Sequence, residues 1–242
     1  MRRIAAFAIA LLALTGTPVA AQVVTVTETV EVTYEVVSDD AEADVAVADE
    51  GAVAEGGSAR FVAAAPAQLP RGVARFGPFR VLDPTRAALV GATDEASPAA
   101  FQAMVRAYPG ISLIEMIECP GTYDDRANLS LGRMIHARGI ATHVPSGGSV
   151  RSGAVELFLA GTTRVADPGA EFAVHSWADE DGREAKDYAA DAPENRAYIG
   201  YYEEMGMPEP QARAFYAMTN SVPNASAKWF GAAEMGHWVT LN

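Results

Sequence analysis

Apolar and polar positions alternate along this chain in two rhythms, and the rhythm changes often. Short apolar runs bounded by Gly, Pro and Asp predict strands at 79–82 and 87–90, with Asp83-Pro84-Thr85 as the turn between them. Helical spacing follows from Ser97-Pro98 to about Tyr108, with Ser suited to the N-cap and Pro to the first turn. A strand at 111–117 leads to a second helix, opened by Asp124-Asp125, carrying Leu129, Leu131, Met134 and Ile135, and ended by Gly139. Another strand at 140–144 and a loop at 145–151 precede an apolar helix at 152–160, stopped by Gly161. Strands at 163–165 and 171–174 flank the turn Asp167-Pro168-Gly169. Helices at 193–205 and 208–219, a short helix at 232–236 and a terminal strand at 238–241 complete the pattern. Strand and helix in alternation predict an α/β class with parallel strands.

The first 71 residues read differently. Arg2 and Arg3, the apolar run 4–14, the break at 15–18 and the small residues Val19-Ala20-Ala21 form the pattern of a secretory signal peptide over 1–21. The run is too short to span a bilayer, so the mature chain is expected in the periplasm with no membrane attachment after cleavage. Residues 22–71 are expected to form an acidic N-terminal arm and linker. Its part 22–59 carries ten acids and no Lys or Arg. Val24, Val26, Val30, Val32, Tyr34 and Val36 form one β-prone segment there, and the Ala/Gly-rich acidic stretch 39–57 reads as linker. The folded domain is expected over 72–242.

The 242-residue chain has 18 Lys+Arg against 31 Asp+Glu, a formal charge of -13. Most of the excess lies in the arm. Such a balance argues against nucleic acid as a partner. One cysteine, Cys119, and four scattered histidines without an H-E-x-x-H pattern argue against a metal centre, and no cofactor motif is present.

Candidate chemistry lies in the middle of the domain. Ser152 stands where a Gly-containing loop enters a helix, beside unsatisfied backbone N–H groups and the positive helix end, and Gly153 lets a substrate approach the backbone. The same position suits an ordinary N-cap serine, and Ser146 and Ser149 are rivals in the same loop. The Gly147-Gly148 pair lacks the lysine of a phosphate loop. His175 ends a strand, where α/β folds place their sites, and Ser plus His is the minimum for a base-activated nucleophile. A structural histidine is the alternative. His136 reads as a surface residue, while His143 and His237 have no assigned role.

The ordered set C-P-G-T at 119–122, I-A-T-H-V at 140–144, R-S-G-A-V-E-L-F-L-A-G at 151–161, V-H-S around His175 and F-G-A-A-E-M at 230–235 resembles the Clp-protease/crotonase superfamily. It is closest to the Clp proteolytic subunit and to signal-peptide-peptidase-like serine peptidases. That resemblance covers about 79–242. It implies repeated ββα units around a parallel sheet with C-terminal helices, Ser152 as nucleophile and His175 as base. It also implies an oxyanion hole of backbone N–H groups at Gly153 and the Gly121-Thr122 turn, a peptide or small acyl substrate, and oligomerisation. The chain departs from the family pattern in two places. Thr122 replaces the second turn glycine. The segment 223–228, where the third catalytic residue would stand, holds no aspartate; Asn224 is the nearest polar residue, with Asp179 and Asp181 as others.

Two functions from different classes follow. One is an exported serine hydrolase, a peptidase by resemblance. The other is a catalytically inactive periplasmic binding or scaffold module on the same fold. Acyl-CoA chemistry fits less well, because an exported protein does not meet cytoplasmic CoA and the domain has no basic cluster for its phosphates.

Overall fold

The computed structural model describes residues 68–242; the signal-like segment and most of the acidic arm lie outside the described residues. A hairpin-like start joins β1 (Ala74–Phe76), β2 (Phe79–Asp83) and β3 (Arg86–Val90) in antiparallel fashion. The Asp83 carboxylate closes the turn by accepting from the Thr85 N–H at 2.8 Å, as an Asx-turn does. Then α1 (Ser97–Ala107) returns the chain, and β4 (Leu113–Cys119) adds in parallel to β3. Ser97 is not the cap residue: Ala96 takes that position, and the Ser97 hydroxyl donates instead to Asp94 at 2.7 Å.

Helix α2 (Asp125–Ala137) opens as its sequence signal requires, with the Asp124 side chain accepting from the Ala127 N–H at 2.8 Å. Two strands then share the far edge of β4. The first half of β4 pairs with β5 (Ala141–Val144), and its last two residues pair with β6 (Ser149–Arg151), both in parallel. β6 lies inside the stretch expected to be a loop. Three residues give too short a period to read, and Ser149 and Arg151 look solvent-facing. They are buried because Arg151 donates to the Ser149 hydroxyl at 2.8 Å and pairs with the Glu118 carboxylate.

Beyond β6 come α3 (Ala154–Leu159), β7 (Arg164–Ala166), which pairs with β5, and β8 (Glu171–Val174), which pairs with β6. Helix α3 begins two residues later than its apolar pattern suggests, because Ser152 and Gly153 form the turn that feeds it. Helices α4 (Pro193–Glu204) and α5 (Glu209–Thr219) follow, then β9 (Lys228–Gly231) and α6 (Ala232–Trp238). The terminal strand expected at 238–241 is absent. The chain's last strand is β9, antiparallel to β8, with Phe230 opposite Phe172 and stacked on it at 5.7 Å.

The result is a mixed α/β fold with a largely parallel central sheet. A two-strands-then-helix rhythm recurs in β2–β3–α1 and β5–β6–α3, and helices gather at the C-terminal end. The core between sheet and helices is built from alternate strand residues such as Leu89, Ile114, Met116 and Phe172, packed on Phe101, Leu131, Phe158 and Phe215. Because β4, β6 and β8 run in parallel, their C-terminal ends lie side by side. The turns after them carry Gly121-Thr122, Ser152-Gly153 and His175, the place where α/β sheets collect functional groups. Among the described residues no helix is long and apolar enough to cross a membrane.

Candidate active site

Ser152 is the one non-glycine residue with a positive φ among the described residues, at 50°. For an L-residue this left-handed conformation costs on the order of 1–2 kcal/mol. It is held in place from both sides: the Ser152 N–H donates to the Ala173 carbonyl at 2.8 Å, and the Ser152 carbonyl accepts from the Val155 N–H at 2.9 Å. The sharp strand-to-helix turn leaves Ser152 on the wall of a solvent-open pocket.

His175 stands on the same wall. Its Nδ1 lies 2.8 Å from the Ser176 carbonyl, and the Asn224 side-chain Nδ2 lies 2.8 Å from that same carbonyl. A carbonyl oxygen only accepts, so both nitrogens are donors here, and the 3.3 Å between them is two donors converging on one acceptor. With the proton on Nδ1 the ring donates to that carbonyl, and Nε2 is the nitrogen left to accept. That contact orients the ring. The backbone around it is anchored in turn, with the Ser176 N–H donating to the Val222 carbonyl at 2.9 Å and the Asn224 N–H to Glu184 Oε1 at 2.9 Å.

Gly121 and Thr122 face Ser152 from the end of β4. A Cβ at Gly121, whose φ is 127°, would stand 3.4 Å from Ser152 Oγ. A Cβ at Gly153 would stand 2.5 Å from Thr122 Cγ2. The threonine methyl thus occupies the space that a side chain at position 153 would need, so the departure at Thr122 is matched by the glycine across from it. Among the described residues the N–H groups of Gly121, Thr122 and Gly153 donate to no backbone carbonyl. They are backbone donors without a backbone acceptor close to Ser152.

Two buried polar residues that the sequence reading passed over hold these turns. Asn128, inside α2, donates to the Gly153 carbonyl and accepts from the Thr93 hydroxyl at 2.9 Å. The Thr93 N–H donates to the Gly121 carbonyl at 3.0 Å. The Gly121 carbonyl shares its peptide plane with the Thr122 N–H, so that donor is oriented, while Asn128 anchors the peptide that follows Gly153. A buried asparagine in mid-helix leaves no periodic signal, because its burial is decided by what packs over it.

Glu156 is the other omission. One turn along α3 from Ser152, it lines the same pocket, only 6% exposed. Its Oε1 accepts from the Tyr202 hydroxyl at 2.7 Å. Burial pushes its carboxyl up to about 7, with the Asp125 charge adding to the same effect.

The remaining candidates lie elsewhere. The Ser146 hydroxyl stands against Gly169, and Ser149 is fully buried against Arg151. His143 meets Asp167 at 3.1 Å, His136 meets the Ala160 carbonyl at 3.0 Å, and His237 is in the last turn of α6. Asp179 is bound to Arg183 and Tyr188, which hold its carboxyl well below the usual range, and Asp181 is exposed beside Arg183. Cys119 is buried, its thiol directed to the Leu89 carbonyl at 3.4 Å, and burial pushes its ionisation far up. Among the described residues no group of three or more His, Cys, Asp or Glu is placed to hold a metal ion.

No protein-family model matches the chain, and no curated protein does. Solved structures similar to it include a lysine-to-alanine mutant of a membrane-bound stomatin-specific protease in complex with a substrate peptide (14% identity over 65% of this chain and 72% of that one, TM-score 0.43). A serine-to-alanine mutant of that protease matches at 14% identity over 65% of this chain and 76% of that one, TM-score 0.43. An asparagine-to-aspartate mutant of ClpP1 from Listeria monocytogenes matches at 16% identity over 64% of this chain and 88% of that one, TM-score 0.44.

Proposed function

We propose that this chain is an exported serine hydrolase, a peptidase by its motif resemblance, that works with a Ser152–His175 pair and a backbone oxyanion hole. The observation that carries the reading is the convergence on one pocket of a serine held at positive φ and a histidine whose Nδ1 is committed to a carbonyl. Strained backbone at a pocket-lining serine is a cost that packing alone gives no reason to keep.

In this reading His175 Nε2 takes the Ser152 hydroxyl proton as Oγ bonds to the substrate carbonyl carbon. The carbonyl oxygen becomes an oxyanion, held by the N–H groups of Gly153 and the Gly121-Thr122 turn. His175 then gives the proton to the leaving amine as the C–N bond breaks, and a water molecule, activated by the same nitrogen, releases the acyl group. The Ser176 carbonyl stabilises the imidazolium less than a carboxylate would, so turnover is expected to be slower than that of an aspartate-containing triad. In this reading the signal-like start directs the chain to the periplasm, and the family resemblance supports assembly into oligomers.

Hydrolysis of an activated ester substrate tests it. Wild type should show burst kinetics, and Ser152→Ala and His175→Ala should each lose about 10³-fold or more in kcat. Equal rates for wild type and Ser152→Ala would leave the binding-module reading in its place.

A further inference from the structure

The pocket beside Ser152 has a chemistry of its own. Its floor is Glu156, and Asp125 stands on its wall from the exposed first turn of α2. Neither carboxyl takes part in an ion pair among the described residues. Tyrosine hydroxyls are what they meet: Tyr202 at Glu156, and Tyr198 at Asp125. The walls between them are aromatic. Trp177 and Tyr198 lie nearly parallel at 6.4 Å, and Tyr216 continues the surface, its hydroxyl accepting from the Trp177 indole N–H at 2.7 Å. That indole bond and the bond from Tyr216 to Asn195 lock the rings in place.

An apolar substrate side chain would gain the ring faces but would leave Glu156 buried without a counter-charge. An acidic one would meet like charge. A side chain with a long apolar stem and a cationic head gains both, since the stem lies along the rings, the rings attract the cation through their faces, and the head reaches the carboxyl. Arg126 and Arg133 belong to the neighbouring hollow, where Arg133 is paired with Glu204, and do not line this pocket.

Resting on the hydrolase reading, we propose that this pocket selects a lysine or arginine side chain on the residue whose carbonyl Ser152 attacks. That residue is the one with the shortest reach into the pocket, because Ser152 and Gly153 form part of its wall. The titratable groups around Glu156 are Asp125 from α2 and Tyr198, Tyr201 and Tyr202 from α4, with His175 lining the same pocket. As the pH rises from 6 to 8, Glu156 ionises, its range having been pushed up to about 7 by burial, and preference for a cation should grow. Any effect of pH on the attack itself is shared by both probes and cancels in a ratio.

The test compares lysyl and norleucyl diphenyl phosphonates, which differ at the ammonium group, as labels of Ser152 in the full chain. The lysyl probe should label about tenfold faster or more at pH 8, with a smaller ratio at pH 6. Glu156→Gln keeps the acceptor for Tyr202 and should bring the ratio to within about twofold of one. Asp125→Asn, at an exposed position, should lower it part of the way and serves if the first variant does not fold. Equal labelling, or faster labelling by the norleucyl probe, overturns the proposal. If neither probe nor a small fluorophosphonate modifies Ser152, the hydrolase reading itself falls. The pocket is then read by calorimetry with acetyl-lysine methylamide against acetyl-norleucine methylamide, where the absence of a preference for the lysine ligand overturns the cation claim as well.

Discussion

Gly153→Ala is the substitution for which the structure gives the sharpest expectation. The new Cβ would lie 2.5 Å from Thr122 Cγ2 and 3.1 Å from Thr122 Cβ. Carbon atoms in contact prefer about 3.5–4.0 Å, so one turn must shift by about 1 Å. The shift has little room, because Asn128 holds the Gly153 carbonyl and Thr93 the Gly121 carbonyl. Overpacking of this kind costs about 1–3 kcal/mol. For a domain of this size, about 2 kcal/mol corresponds to a fall in Tm of about 4–8 °C. The same shift displaces the Gly153 N–H, and loss of one oxyanion donor slows acyl transfer by about 10²–10³-fold. Thr122→Ser provides the control. It removes the offending methyl but keeps the hydroxyl that accepts from the Asp124 N–H at 3.1 Å. Thermal melts and fluorophosphonate labelling rates on the four members of the cycle measure the coupling, expected at about 1 kcal/mol or more. A Gly153→Ala protein that melts within 1 °C of wild type, or one that Thr122→Ser does not partly restore, would refute the packing described for these two turns.

Other expectations follow from single residues. Asn224→Ala should slow labelling of Ser152 by less than about tenfold, far short of the 10⁴-fold cost of losing a triad aspartate, because the Ser176 carbonyl is what orients His175; a loss of 10³-fold would make Asn224 the orienting group. Glu156→Gln should flatten the pH dependence of stability. Its folded range of about 7 lies above the unfolded value of 4.5, so the folded state binds the extra proton and wild-type stability falls as pH rises from 4.5 to 7, by up to about 3 kcal/mol. Melting wild type and variant at pH 5 and pH 8 checks this, and parallel pH dependences would contradict it. Ser152→Gly should be more stable to denaturant than Ser152→Ala by about 1 kcal/mol, since glycine alone is at ease at this φ; the reverse order would mean the turn is not strained. Intact mass of the protein from a periplasmic fraction should correspond to a chain starting at Gln22, and a mass that includes Met1 would remove the export reading.

How much of this was legible in the sequence depends on the range of the signal. β8 was read to the residue because four apolar or β-prone positions stand between a Gly-containing turn and His175. Helix α2 announced itself through Asp124 and its apolar spacing. β6 and β9 were not legible, since Ser149 and Arg151 read as polar loop residues and Lys228 to Gly231 shows no alternation; the neighbours they pair with make them strands. Position and motif spacing singled out Ser152 and His175, and the fold sets both on one pocket while Ser146 and Ser149 lie elsewhere. Asn224 was visible as the nearest polar residue in a segment without aspartate. Its partner in orienting His175 is a backbone carbonyl, which no residue identity encodes. Asn128 and Glu156 look like ordinary helix positions; tertiary packing alone turns one into a clamp on the Gly153 carbonyl and the other into a buried acid.

The central claim is that Ser152 is a nucleophile activated by His175, and the adduct itself tests it most directly. The intact protein is treated with a fluorophosphonate at neutral pH, digested, and the modified residue located by mass spectrometry. The adduct should fall on Ser152, should be absent in Ser152→Ala, and should form at least about 10³-fold more slowly in His175→Ala. An adduct on Ser146, Ser149 or another hydroxyl, or labelling of Ser152 that is indifferent to His175, would contradict it.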